Sequence, residues 1–328
     1  MAAELGALYL ESHAEHQSNE PIEDTHTIVT GEDFVYVGIY DGHGGPQCSR
    51  FLRERSWAEF ENQLKRTRDP KTAFERAWQS LDAVYIQECL DNPKRSGLFA
   101  GSCATAIYFD CSQNCIWVAN LGDSRAVLGN VAPNGWVETV ELTTDHSAST
   151  GKERHRVQEE HPHDAACVKE EWDEFLEIYV HLVKNICMFT RSLGDAYMKK
   201  QEVAELYNPR MDASHKVLPL PSDSNPYISN FAEVTVRKLE PGDSFIIVAC
   251  DGLWDELSSH EAITRCANFL RCCSAEDRPK VAQHMIDYAL EKAAQRLYRQ
   301  EPGEHGSPFP FPPVLCAPFS CSRHCPSV

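Results

Sequence analysis

The sequence predicts an α+β protein built in layers, and three observations carry that prediction. Apolar alternation with a period of two runs through residues 26–29, 34–40 and several short stretches between 103 and 142. Helical stripes with a period near 3.6 fill 46–90 and 260–297. The two patterns come in blocks, strands then helices then strands then helices, with no regular βαβ alternation. At 328 residues and 42% hydrophobic content the chain fits one large globular domain or two small ones.

Taken in order, residues 1–18 read as a polar leader. A short strand follows at 26–29, then a second at 34–40, where Val35, Val37 and Ile39 alternate as on a strand with one buried face. That strand runs into Asp41-Gly42-His43-Gly44-Gly45, a glycine-rich turn that delivers a carboxylate and an imidazole to one edge. Residues 46–64 form a helix through Phe51, Leu52, Trp57, Phe60 and Leu64, and 71–90 form another through Phe74, Ala77, Trp78, Leu81 and Tyr85. Strands are expected at 103–109, 115–120, 125–128 and 136–142, and a short charged helix at 151–160. Residues 164–175 look like an irregular insertion, 180–189 are β-like, and 209–231 make a long proline-bearing loop. Strands at 234–236 and 245–249 precede helices at 260–273 and 279–297. From 300 the composition turns to Pro, Gly, Cys and Ser, a tail without a core. The expected organisation is a leader at 1–18, a catalytic domain at 19–299 and the tail at 300–328.

Composition excludes several functions. No run of about 18 apolar residues exists, so no membrane span is expected. The first 19 residues hold three acidic side chains and no Lys or Arg, unlike a secretory signal or an Arg-rich transit peptide. The expected compartment is the cytosol, with the nucleus open and the mitochondrion disfavoured, and the expected state is a monomer. The 49 acidic against 31 basic residues give −18, which argues against nucleic acid and anionic membranes as partners and suits divalent cations. The 14 cysteines, without a secretory signal, read as thiols. Cys103, Cys187 and Cys250 look like small core residues, whereas Cys272, Cys273, Cys316, Cys321 and Cys325 stand outside that pattern, and the tail spacing fits no structural zinc site.

The chemistry gathers at strand ends. Asp41 and Asp251 each close an apolar strand at an Asp-Gly step, Glu23-Asp24 flanks a third strand, and Asp145 follows Leu142-Thr143-Thr144. Carboxylates that converge on one sheet edge repel unless cations sit among them, and oxygen-only ligands favour Mg²⁺, Mn²⁺ or Ca²⁺ over zinc. Such a site opens two-metal hydrolysis, with a bridging water attacking phosphorus in line and His43 protonating the leaving oxygen. A metal-dependent nuclease would share the carboxylates but not the net negative charge.

Asp41-Gly42-His43-Gly44-Gly45, Gly122-Asp123-Ser124-Arg125, Thr144-Asp145-His146, Arg191-Ser192-Leu193-Gly194-Asp195 and Ala249-Cys250-Asp251-Gly252-Leu253-Trp254-Asp255 follow one another in that order. In this the chain resembles the metal-dependent protein phosphatases of type 2C from about residue 19 to 297. The segments 18–24 and 142–148, with His161-Pro162, are most similar to the pyruvate dehydrogenase phosphatase-like branch and its plant relatives. The resemblance implies a four-layer α–β–β–α sandwich of two antiparallel sheets. It also implies a phosphatase acting on phosphoserine and phosphothreonine in phosphoprotein substrates, with two Mg²⁺ or Mn²⁺ ions and a weaker third. Asp41 would bridge the ions, and the Gly42 carbonyl, Glu23, Asp24 and Asp251 would complete them. Asp145, with Asp255, would match the third position, His43 would be the general acid, and Asp123, Arg125 and Asp195 would be structural. The acidic stretch 170–177 falls where the family has a substrate-facing flap.

Two departures from the family stand out. Asn19 occupies the place of an arginine that grips phosphate in some members. The family's last metal-ligand Asp and the strand after it have no match: no Asp follows Asp287, which lies within a helical pattern, and Val314-Leu315-Cys316 is too short and proline-bound to be that strand. Glu301 or Glu304 would be a poorly preorganised substitute. The alternative reading is therefore a catalytically weakened relative that binds phosphoproteins without turnover.

Overall fold

The computed structural model describes residues 8–10, 12–16, 21–91, 96–173, 178–210, 225–300 and 319–321. Its elements in chain order are β1 (Leu8–Leu10), β2 (Thr25–Thr30), β3 (Phe34–His43), α1 (Gln47–Thr67), α2 (Pro70–Asp91), β4 (Gly101–Asp110) and β5 (Cys115–Leu121). Then come β6 (Arg125–Val131), β7 (Val137–Glu141), α3 (Gly151–Glu160), β8 (Val168–Asp173), β9 (Ile178–Val183), β10 (Leu193–Gly194), α4 (Ala196–Lys199) and α5 (Gln201–Tyr207). The last are β11 (Glu233–Lys238), β12 (Asp243–Ala249), α6 (Asp251–Trp254), α7 (Ser259–Cys272), α8 (Val281–Gln300) and β13 (Phe319–Cys321).

One sheet has the order β11-β5-β4-β3-β2, with β10 added on β4, and a second has the order β12-β6-β7; every pairing is antiparallel. Side-chain parity explains the layering. On β3, Val35, Val37 and Ile39 enter a core shared with Ile107, Val118, Leu128, Ile246 and Val248, which is the space between the sheets. Tyr36 and Tyr40 point the other way, into a core with Phe51, Phe60, Phe74 and Trp78 of α1 and α2. Both faces of β3 are thus buried, where alternation alone suggested one, because tyrosines fill the positions that read as polar. β12 behaves alike: Phe245, Ile247 and Ala249 face a third core with Ala262, Ile263, Met285 and Ile286 of α7 and α8. The result is the four-layer α–β–β–α sandwich. Ser258 begins α7 with a side-chain cap on the Glu261 N–H at 3.2 Å, a Ser-x-x-Glu start.

The structure corrects the sequence reading in four places. The insertion expected to be irregular contains β8, which pairs with β9 as a hairpin; Trp172 lies opposite Tyr179 with ring centroids 5.0 Å apart. Its strand pattern was hidden because both rings are exposed and no apolar face alternates. α4 and α5 occupy a region with no predicted element. The leader contributes structure: Ser12 and Ala14 are buried, and the Ser12 hydroxyl accepts the Ala282 N–H at 3.1 Å and donates to the Pro279 carbonyl. Finally, the tail holds a short strand, which stays outside both sheets of the sandwich. β13 is only three residues long, pairs with β1 and lies beside β12. It is too short to leave a periodic signature. Val314–Cys316, Glu301, Glu304, Asn19 and most of the loop at 209–231 lie outside the described residues.

Among the described residues the cysteines are free thiols, with Cys103 and Cys250 buried. No helix there is long and apolar enough to cross a membrane.

Candidate metal centre and active site

Strand parity aims the acids. Asp41 lies in the last residues of β3 on the same face as Val35, Val37 and Ile39, at the rim of the inter-sheet core. Asp251 follows β12 at the start of α6, and Asp123 follows β5 one residue beyond the turn at Gly122. Ligand oxygens of Asp41, Asp123 and Asp251 lie within 4.8 Å of one another, and Asp24, Asp41 and Cys250 form a second group of the same tightness. Glu23 is half-buried beside Asp24. The chain can crowd these segments because residue 42 has no side chain: a Cβ there would stand 2.3 Å from the Glu23 carbonyl oxygen and 2.8 Å from Ser49 Oγ. The Gly42 N–H instead donates to Asp24 Oδ1 at 3.2 Å.

The electrostatics of this group are unfavourable as it stands. Burial, then the Asp251 charge, pushes Asp24 up to about 7, against the relief from Cys250 and the Gly42 N–H. Burial and then the Asp123 charge carry Asp251 to about 7 as well. Asp41 is raised well above the usual carboxylate range by burial and then by Asp24, Asp251 and Asp123, and burial raises Asp123. Asp24 Oδ2 and Asp41 Oδ2 are buried without a hydrogen-bond partner. Buried, unpartnered carboxylate oxygens that repel one another fit hard divalent cations.

His43 leaves the same loop. Its Nε2 lies 2.8 Å from Asp195 Oδ2, and its ring packs on Phe189 at 4.3 Å between centroids. Burial works against its proton, but the Asp195 charge and hydrogen bond, with Asp123 and Glu23, hold the imidazole above its usual value. Asp195 is buried, adopts a left-handed backbone with φ 46°, and also receives the Ser192 hydroxyl.

The structure places two acids differently from the sequence expectation. Asp145, expected at a third ion, is clasped by Arg125, with Nε on Oδ1 at 2.9 Å and Nη2 on Oδ2 at 2.6 Å, so both its oxygens are engaged. Asp123, read as structural, is in the carboxylate triad instead. Arg125 keeps a structural part, reaching Ser259 Oγ at 3.0 Å and lying over Trp254 at 5.1 Å. Asp255 stands exposed at the rim, its N–H on the Asp251 carbonyl at 2.7 Å. Asp287 is on the outer face of α8, exposed and bonded to Gln283 at 2.9 Å, and takes no part.

Fold and site together define a metal-dependent phosphoester hydrolase. The family model for Protein phosphatase 2C matches residues 10–296. Similar relatives include Probable protein phosphatase 2C 43 of Oryza sativa subsp. japonica, 32% identical over 290 residues and covering 87% of this chain and 69% of the relative. Probable protein phosphatase 2C 68 of Arabidopsis thaliana is 30% identical over 295 residues, covering 85% of this chain and 68% of the relative. Among solved structures, serine-threonine phosphatase 2C from Toxoplasma gondii superposes with a TM-score of 0.63 at 17% identity, covering 97% of this chain and 94% of that one. A C. elegans sex determining protein superposes with 0.69 at 20% identity, covering 95% of this chain and 65% of that one. The chain belongs to the protein phosphatase 2C family and is a protein serine/threonine phosphatase, of a metal-dependent kind.

Proposed function

We propose that this phosphatase acts on phosphoserine and phosphothreonine in protein segments with Mg²⁺ or Mn²⁺ held by Asp41, Asp123 and Asp251, and with Asp24, Glu23, the Gly42 carbonyl and Asp255 around them. The observation that carries the reading is the convergence of three repelling carboxylates beside an imidazole whose Nε2 meets a buried Asp, the contact that raises its affinity for a proton. The cations, when bound, supply charge for the phosphoryl oxygens and activate water. The rest falls to the chain. Asp41, reaching both acidic groups, is the side chain able to serve two ions. Asp24 orients the Gly42 peptide through its N–H. With Nε2 held by Asp195, His43 keeps Nδ1 for the substrate. There it gives its proton to the serine or threonine oxygen as the P–O bond breaks and the electron pair stays on that oxygen.

The test is release of phosphate from a phosphothreonine peptide with Mn²⁺ titrated from micromolar to about 10 mM. Wild type turns over, and Asp41→Ala loses at least about a hundredfold in kcat. No release at the highest Mn²⁺ would favour the non-catalytic binder.

A further inference from the structure

We propose that Asp82 of α2 and Lys199 of α4, far from the carboxylate cluster in sequence, are positioning residues for the proton donor. This rests on the reading of His43 as general acid.

The segment Ser192–Asp195 presents Asp195 to His43, and one buried ion pair grips it. Asp82 and Lys199 side chains are 3% and 4% exposed. Lys199 Nζ reaches Asp82 Oδ1 at 2.9 Å, Asp82 Oδ2 at 3.0 Å and the Ser192 carbonyl at 2.8 Å, which accounts for its three N–H groups. Asp82 Oδ1 also accepts the Gly194 N–H at 2.7 Å, and Oδ2 accepts Asn230 Nδ2 at 2.8 Å. The carbonyl before and the amide after Leu193 are therefore both fixed by this pair.

A surface ion pair would do little here, but this one is fully enclosed and aimed at main-chain groups. Its purpose is legible one residue on. Asp195 holds a left-handed conformation that a non-glycine residue adopts at a cost. Its carboxylate must meet both the Ser192 hydroxyl and His43 Nε2. Of the two residues that flank Leu193, Gly194 is held by Asp82 of α2 and Ser192 by Lys199, itself paired with Asp82, and the Asp195 N–H is held by the Ala100 carbonyl at 3.1 Å. The ion pair thus transmits the rigidity of the α1/α2 layer to the imidazole, and no part of it touches substrate.

Removing only one charge would strand the other in the interior. The test therefore uses the double variant Asp82→Leu/Lys199→Met, which keeps volume and leaves no buried charge, with Asn230→Ala as a milder second variant. Each is assayed with Mn²⁺ on two substrates, a phosphoserine peptide, whose alkoxide leaving group needs a proton, and p-nitrophenyl phosphate, whose phenolate does not. The expected result for the double variant is a loss of about ten- to a hundredfold in kcat on the peptide with less than about threefold on the aryl ester. Asn230→Ala shifts in the same sense by a smaller factor. A general structural lesion would lower both substrates together. Equal losses on both, or no loss on either, would overturn the inference. His43→Ala is run beside them. If it separates the substrates and the double variant does not, the inference fails and the general-acid reading stands. If His43→Ala does not separate them, both fail.

Discussion

Gly101 shows how tightly single atoms are placed in this site. A Cβ at that position would stand 2.2 Å from Asp195 Oδ2 and 2.4 Å from His43 Nε2, so the dyad lies flush against the β4 main chain. Gly101→Ala is expected to drive the imidazole off its carboxylate, lowering peptide kcat at least about tenfold while costing about 1–3 kcal/mol of stability by overpacking. Wild-type turnover with a folded Gly101→Ala protein would show that the contact has slack. Residue identity made some of the site readable in advance. Asp41 and Asp251 were visible because each ends an apolar strand at an Asp-Gly step. Asp123 and Asp145 both follow a strand in a polar turn, and sequence spacing does not say which carboxylate Arg125 will take. The distinction is one of partner: Arg125 binds Asp145 bidentately, and Asp123 is left to the triad. Asp195 was read as structural, and only the fold, across 152 residues of sequence separation, brings it to His43.

Elements were legible where burial is one-sided and dark where it is not. α1, α2, α7 and α8 each cover a sheet, so their stripes are plain. The β8–β9 hairpin stands with Trp172, Ile178 and Tyr179 exposed, and α4 and α5 are too short to show a period. Loops between elements carry a pH dependence of their own. His146, just after β7, is 1% exposed and ties the β5–β6 turn to β11: its Nδ1 accepts the Gly122 N–H at 3.2 Å, and Nε2 lies 3.3 Å from Glu233 Oε2. Burial, then Arg191, lowers its pKa to about 4, so it stays neutral in the folded chain. Between pH 4 and 6.5 the unfolded imidazole binds a proton that the folded one does not, so stability falls as pH drops through that window, by roughly 3 kcal/mol from this group. Urea unfolding at pH 7, 6, 5 and 4.5 measures it. His146→Gln should be less stable at pH 7 but lose less between pH 6.5 and 4.5. An equal slope in both proteins would mean that acid unfolding starts elsewhere.

At the scale of the molecule, the sandwich holds its two sheets together with apolar residues and then ends that core in acids. A net charge of −18 adds a background that repels further negative charge and attracts cations. For the metal-free chain this fixes the sign of a second pH effect, opposite to that of His146. Asp24 and Asp251 have folded values near 7, above the unfolded value of 3.8. A raised folded value means that the folded state binds more protons. The associated stability is present at low pH and is lost as pH rises through about 7. Divalent cations bind the ionised carboxylates and not the protonated ones, so their stabilisation must grow over the same range. Thermal melting at pH 5.5, 6.5, 7.5 and 8 with EDTA or with 5 mM Mn²⁺ tests the argument. In EDTA, the melting temperature should fall from pH 5.5 to 7.5 and level off towards pH 8. With Mn²⁺ it should rise by about 5–10 °C at pH 7.5 and by much less at pH 5.5. Asp41→Asn removes one of the repelling charges, so it should be more stable than wild type in EDTA at pH 8 and gain little from Mn²⁺. A variant that instead loses stability in EDTA and still gains fully from Mn²⁺ would separate Asp41 from the cation site and return the cluster to a structural role.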